Sequence, residues 1–324
     1  IQNITLIMNI LLTTKLPKEG FSSINNHNII MPENSKFTYE ELESRIEEAD
    51  ILIPTFDYKI DKNLISKAAK LKLIANFGVG FNNIDLESAK ARNIIVTNTP
   101  DPVIEPTAEH AFTVMLSICH RIAELDYKLR YEKDKIEFGV MNNLGIAIYG
   151  KTLGIIGMGN IGKSVAKRAS ACGMKIIYHN RKQLPAEVES EYKATYVSLD
   201  ELLRTSDFIS LHLPYTPESH HLICEETLSK TKKGAVLINT ARGAHVKEAD
   251  LIKYLKNGHL FGAALDVFEF EPNISEELLK LHNVVMTPHI GTGTIDGRIE
   301  MCKCCCDNIN HFLSNKISLM NRVI

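Results

Sequence analysis

The run Gly157-Met158-Gly159-Asn160-Ile161-Gly162 follows an apolar stretch, Leu153 to Ile156, and precedes an amphipathic one. That order admits few structures: a buried strand turns sharply, brings bare backbone close to something, and enters a tightly packed helix. Gly157 permits the turn, Gly159 lets backbone approach a pyrophosphate, and Gly162 admits close helix–strand packing. Asn160 and Ile161 offer amides at the positive end of the helix. Glycine-rich turns occur in ordinary structure, but strand, glycines, helix and a second strand together predict a dinucleotide site.

Short apolar runs alternate with amphipathic ones through nearly the whole chain, which predicts an α/β protein. Strands are expected at Ile4 to Ile10, Ile51 to Pro54, Leu73 to Asn76 and Ile94 to Thr97. A second series follows at Leu153 to Ile156, Lys175 to Tyr178, Phe208 to Leu213, Val236 to Asn239, Gly262 to Val267 and Val284 to Met286. Thr38 with Glu41 and Ser198 with Glu201 have capping-box spacing, a helix is expected from Asp85 to Arg92, and Gly258 marks the end of another. Between the two series, Pro100, Pro102 and Pro106 stiffen a linker that feeds one long helix from Ala108 to about Leu129.

A chain of 324 residues suits two domains. The residues from about Thr292 form one helix and a tail that cannot make a domain alone. They are expected to fold back on the first, giving a discontinuous domain of 1–103 and 292–324 and a continuous one of 104–291. The expectation is two doubly wound parallel-sheet domains with a cleft between. The Pro100 to Pro106 linker and the strip Gly291 to Gly293 are candidate hinges for closure over that cleft.

The net charge of −2, with basic and acidic residues interspersed, gives no support to a nucleic-acid or membrane-surface partner. No apolar run reaches the length of a membrane span, and no basic start with a cleavage site is present, so the expected setting is the cytoplasm. Cys119, Cys172, Cys224, Cys302, Cys304, Cys305 and Cys306 are an odd number and read as reduced thiols. The last four fall on a helical stretch, where neighbours point about 100° apart, so packing rather than metal binding is expected of them.

An NAD-selecting site wants a carboxylate at the end of the second strand. Asn180 stands there, and Arg181 and Lys182 after it suit a 2′-phosphate. A solvated basic turn is the competing reading; the cofactor is NAD(P)H with a lean toward NADP(H). Further on, Arg242 follows one strand end, Asp266 and Glu271 the next, and His289 the one after. Arg242 offers a planar fork to a carboxylate, and His289 suits proton donation to a carbonyl oxygen with a carboxylate beside it. Alone, Arg242 also reads as a surface salt bridge and His289 as a packed histidine; at successive strand ends they make a candidate catalytic set with Glu271. His212, His245 and His282 lack such companions.

The segments Gly-Met-Gly-Asn-Ile-Gly, Asn-Thr-Ala-Arg-Gly from Asn239, Ala-Leu-Asp-Val-Phe-Glu-Phe-Glu-Pro to Pro272 and Thr-Pro-His-Ile-Gly from Thr287 resemble the D-isomer-specific 2-hydroxyacid dehydrogenases. Asn76 to Asp85 and Val96 to Pro100 are similar to that family's first domain, most of all in its glyoxylate and hydroxypyruvate reductase branch. The resemblance implies a Rossmann dinucleotide-binding domain and a smaller flavodoxin-like substrate domain. It implies hydride transfer between NAD(P)H and a small 2-oxo acid such as glyoxylate, hydroxypyruvate or pyruvate. Arg242 would bind substrate, His289 would be acid/base and Glu271 its partner, and the backbone of Val79 and Gly80 would hold the substrate carboxylate. Asp266, Thr240, Ala241, Leu213, Pro214, Thr216 and Thr107 would lie along the cofactor, which Arg242 and His289 also touch. A homodimer is implied, its interface suggested by the apolar helix from Thr107. The alternatives are a non-enzymatic NAD(H)-sensing protein of the corepressor type, or a formate or phosphoglycerate dehydrogenase.

Overall fold

The computed structural model describes residues 7–324, which divide into two compact units, one of 7–103 with 292–324 and one of 104–291. In the first unit five parallel strands form one sheet: β1 (Asn9–Leu12), β2 (Asn28–Ile30), β3 (Ile51–Ile53), β4 (Leu73–Ala75) and β5 (Ile95–Thr97), ordered β2-β1-β3-β4-β5. Ile10, Leu11, Leu12, Ile51, Leu52, Ile53, Leu73 and Ile74 are fully buried. Strands covered on both faces need no polar alternation, which is why these segments read as continuous apolar runs. The first expected strand began at Ile4; Ile4 to Leu6 lie outside the described residues, and β1 runs on to Leu12.

Thr38 accepts a hydrogen bond from the Glu41 amide while the Glu41 carboxylate accepts from the Thr38 amide, a complete capping box. The helix Ile295–Leu313 lays Met301, Cys302, Cys305, Cys306 and Ile309 against the sheet core of the same unit. Cys302, Cys305 and Cys306 are thus packing residues at helical spacing, and Cys304 is half-buried.

The second unit holds seven parallel strands: β6 (Thr152–Ile156), β7 (Lys175–His179), β8 (Ala194–Tyr196), β9 (Phe208–Leu211), β10 (Ala235–Asn239), β11 (Leu260–Leu265) and β12 (Val284–Met286). Their order is β12-β11-β10-β9-β6-β7-β8. The order reverses at β6, the topological switch point beside which open α/β sheets bind ligands, and the glycine turn lies at the end of that strand.

Three features depart from the sequence expectation. The short strands β2 and β8 were not anticipated; both are three-residue sheet edges with a partly exposed face, too short to show a strand period. The long helix is two, Ile104–Cys119 and Ile122–Tyr131. Arg121 between them is left-handed at φ 55°, its guanidinium held by both carboxylate oxygens of Glu124, and the Cys119 carbonyl accepts from the Ile146 amide. Helix formation also begins earlier than Ala108, with Pro106 in the first turn, where its missing N–H costs nothing. Among the described residues no helix is long and apolar enough to cross a membrane.

Candidate functional site

The groups that could do chemistry in the second unit stand at the C-terminal ends of its strands. After β6, Gly157 has φ 99°, and a methyl there would lie 2.5 Å from the His212 carbonyl oxygen. A Cβ on Gly162 would lie 2.4 Å from the Gly157 oxygen, so the helix Asn160–Ala171 packs on the turn at a distance only glycine allows. Gly159 differs: a Cβ there would meet nothing within 4 Å, and no side chain caps the helix. Open space in front of uncapped first-turn amides at Asn160 and Ile161 fits a bound pyrophosphate.

Asn180, after β7, accepts a 2.7 Å hydrogen bond from the Met158 amide, tying the second strand end to the glycine turn. Arg181 and Lys182 are exposed. After β9, Leu213 gives its carbonyl to His245 Nε2, Pro214 is exposed, and the Thr216 amide donates to Ser219. The Thr240 hydroxyl, after β10, is buried with no partner, as expected of a group that waits for a ligand, and Ala241 beside it is also buried. These four places are where the chain could hold a dinucleotide.

Asn239 ends β10 fully buried, accepting from the Ala241 amide and donating to the Arg242 carbonyl. This side chain clamps the turn that presents Arg242. A Cβ on Gly243 would lie 1.8 Å from the Phe268 carbonyl oxygen, which explains the Arg-Gly pair. The Arg242 guanidinium donates to the Ala241 carbonyl at 2.6 Å. Burial lowers its pKa, and the nearby charge of Glu271 acts in the opposite sense. Glu271 accepts from the Phe268 amide with one oxygen and lies 2.9 Å from His289 Nδ1 with the other. The histidine and glutamate side chains keep 24% and 31% of their surface exposed, so this pair can meet a substrate. Arg242, Glu271 and His289 are therefore gathered in one place.

What holds His289 there is Asp266, which is 1% exposed. Its carboxylate accepts from the Thr287 hydroxyl and the Ile290 amide on one oxygen and the Gly291 amide on the other. Its carbonyl accepts from the His289 amide. The strap 287–291 is wrapped around this one residue, with His289 itself left-handed at φ 53°. His110 Nε2 lies 3.0 Å from the Thr287 hydroxyl and 3.3 Å from the carboxylate. Because the Thr287 proton goes to Asp266, His110 must donate. Burial raises the Asp266 pKa, but hydrogen bonds from His110, Thr287 and the Ile290 amide outweigh it and the net shift is downward. Thr107 is buried one helical turn before His110, and a methyl on Gly291 would lie 3.6 Å from its Cγ2.

Sequence reasoning missed His110 and Asn239. The first carried a signal, a histidine three residues after Thr107 on an otherwise apolar helix face; the second is a polar residue closing a buried strand. Val79 and Gly80 belong to the other unit, in the loop after β4. Their amides donate to nothing among the described residues.

The family model described as "D-isomer specific 2-hydroxyacid dehydrogenase, NAD binding domain" matches residues 112–291. A glyoxylate reductase of Thermococcus litoralis is 46% identical over 86% of this chain and 85% of its own length. Among solved structures, a glyoxylate reductase from Paecilomyes thermophila superposes with a TM-score of 0.86 at 32% identity, covering 98% of both chains. The D-lactate dehydrogenase of Aquifex aeolicus complexed with NAD and lactic acid gives 0.82 at 30% identity, covering 97% of this chain and 98% of that one. With this likeness on top of the doubly wound sheet and its glycine turn, the chain belongs to the D-isomer specific 2-hydroxyacid dehydrogenases, oxidoreductases that act on CH–OH groups with a nicotinamide cofactor.

Proposed function

We propose that the chain reduces a small unphosphorylated 2-oxo acid, with glyoxylate, hydroxypyruvate and pyruvate as the candidates, to its D-2-hydroxy acid. The observation that carries this reading is the partly exposed His289–Glu271 pair at 2.9 Å, with the half-buried Arg242 close enough to feel the charge of Glu271. Glu271 accepts a hydrogen bond from Nδ1–H of His289 and so orients the ring, which leaves Nε2 as the atom that gives its proton to the substrate oxygen. Arg242 orients the carboxylate and carbonyl and stabilises the charge that develops on the oxygen. When bound, the nicotinamide supplies the hydride that the carbonyl carbon takes up. Gly157, Gly159, Asn160, Ile161 and Gly162 hold the pyrophosphate, Leu213, Pro214 and Thr216 flank the adenosine, and Thr107, Thr240, Ala241 and Asp266 serve the nicotinamide end.

The unit of 104–291 is the dinucleotide-binding domain. The unit of 1–103 with 292–324 is the substrate domain, in which the amides of Val79 and Gly80 hold the substrate carboxylate. NADP(H) is preferred: Asn180 carries no charge to repel a 2′-phosphate, and Arg181 and Lys182 are exposed beside it. The active form is a homodimer. The helix Ile122–Tyr131 has no buried residue, and the chain after it leaves Phe138 89% and Val140 93% exposed, apolar side chains that a second copy would cover. Seven unpaired cysteines suit the cytoplasm.

The test is oxidation of NADH and of NADPH by the purified chain with each of the three acids, in wild type and in Asn180→Asp. Turnover with at least one acid, faster with NADPH and shifted toward NADH by the variant, is the expected result. No turnover with any acid and either cofactor would overturn the enzymatic reading in favour of a cofactor-sensing role.

A further inference from the structure

Three consecutive carbonyls of the loop after β4 are held by asparagine side chains. The Gly78 carbonyl accepts from Asn76 Nδ2 at 3.1 Å and from the Thr99 amide. The Val79 carbonyl accepts from Asn98 Nδ2 at 2.9 Å, and the Gly80 carbonyl from Asn76 Nδ2 at 2.8 Å. In a trans peptide the C=O of one residue and the N–H of the next point in opposite directions. Asn76, by holding the Gly78 carbonyl, therefore sets the direction of the Val79 N–H, and Asn98, by holding the Val79 carbonyl, sets that of the Gly80 N–H. Neither N–H donates to a group among the described residues, so both are available to an acceptor outside the loop. Asn76 is 1% exposed and its Oδ1 has no partner, so its amide group is kept in the core for its donors alone.

Asn98 is itself held. Its amide donates to the Asn321 carbonyl at 3.0 Å, and its carbonyl accepts from Asn308 Nδ2 at 3.1 Å. Asn308 Oδ1 in turn accepts from the Asn321 amide at 2.8 Å. Asn308 lies on the helix Ile295–Leu313 and Asn321 on the segment after it. The segment that returns to this unit thus carries two of the four asparagines.

We propose that Asn76 and Asn98 are positioning residues that aim the Val79 and Gly80 amides at the substrate carboxylate, and that Asn308 and Asn321 keep Asn98 in register. The proposal rests on the reading that these two amides hold the carboxylate. The asparagines supply direction to the loop amides, so their loss is felt in binding of the acid group rather than in the chemical step.

The test compares kcat/KM for glyoxylate with that for methyl glyoxylate, which has the same carbonyl without the charge, in wild type, Asn98→Ala, Asn308→Ala and Asn76→Asp. It is joined to an oxalate titration of the 15N-labelled full chain. The acid-over-ester ratio is expected to fall about tenfold in Asn98→Ala through KM, more in Asn76→Asp, which loses the donors and adds a like charge, and less in Asn308→Ala. Oxalate should move the Val79 and Gly80 amide resonances of wild type, with the Gly80 response lost in Asn98→Ala. Folded Asn98→Ala and Asn308→Ala that keep the wild-type ratio would overturn the proposal, even if Asn76→Asp fails to fold. Should wild type reduce neither compound, the proposed activity fails. The titration still decides the asparagines: a response lost in Asn98→Ala supports them, and no response in wild type sinks them.

Discussion

Two of the histidine–carboxylate pairs in the second unit draw their carboxylates from the chain just past β11. His289 meets Glu271 at 2.9 Å with 24% and 31% of the side chains exposed, and His110 meets Asp266 at 3.3 Å with 15% and 1% exposed. The residue types alone do not separate them; what separates them is how many other donors each carboxylate serves. Glu271 binds one backbone amide besides its histidine, while Asp266 receives a hydroxyl and two amides besides His110. A carboxylate occupied on every side is a structural anchor, and one with a single commitment can answer a change of charge on its histidine. The fold thus builds one pair into its frame and leaves the other the freedom that the proposed proton transfer needs.

The comparison breaks most sharply at His289. His289→Gln should lower kcat for the preferred 2-oxo acid by about 10²–10⁴, the usual contribution of a positioned proton donor, with little change in NADPH affinity read by fluorescence. Retained turnover would show that the exposed pair is not the proton donor. Asp266→Asn comes next. It sets an amide NH2 against the Ile290 or Gly291 N–H, and the cost of a buried donor without an acceptor, about 1–3 kcal/mol, should appear as a lowered urea midpoint. Turnover should fall by about tenfold through displacement of the strap. A variant as stable as wild type would remove the distinction between anchor and working group.

A pH dependence concerns His212, which has no carboxylate partner and is bonded to the Ser210 hydroxyl at 2.7 Å. Burial lowers its pKa from 6.5 to about 4. The unfolded chain therefore takes up a proton on this ring in a window where the folded chain does not, and stability contributed by the neutral ring is full above pH 6.5. It is lost as pH falls toward 4, by at most about 1.4 kcal/mol per pH unit. Urea unfolding of His212→Gln between pH 4 and 7 should show a flatter profile than wild type; parallel profiles would contradict the assignment.

The central strands were legible because burial on both faces leaves continuous apolar runs, as at Ile51 to Ile53 and Leu73 to Ala75. The glycine turn was legible because sterics leave no substitute at Gly157 or Gly162. The break at Arg121 was not, since the apolar period continues across it through Ile118, Ile122 and Leu125 and a left-handed arginine has no local signature. Nor were the edge strands β2 and β8, whose position is a property of the sheet and not of their own residues. In the candidate site, polar residues at strand ends stood out singly. Their bonding did not: His110 and Thr287 are 177 residues apart, and nothing near either announces the other.

The helix Ile295–Leu313 has a consequence for how the first unit can be watched. Burial pushes the thiols of Cys302 and Cys306 up to about 12 and that of Cys305 well above its ordinary value, whereas Cys172 is exposed. Since the thiolate is the reactive species, a thiol of pKa about 12 presents it in only about one molecule in 10⁵ at neutral pH. An alkylating reagent would mark Cys172 in every native molecule and these three only in molecules whose helix has left its sheet. The cysteines thereby make this unit a timekeeper of its own opening, readable by mass without any added probe.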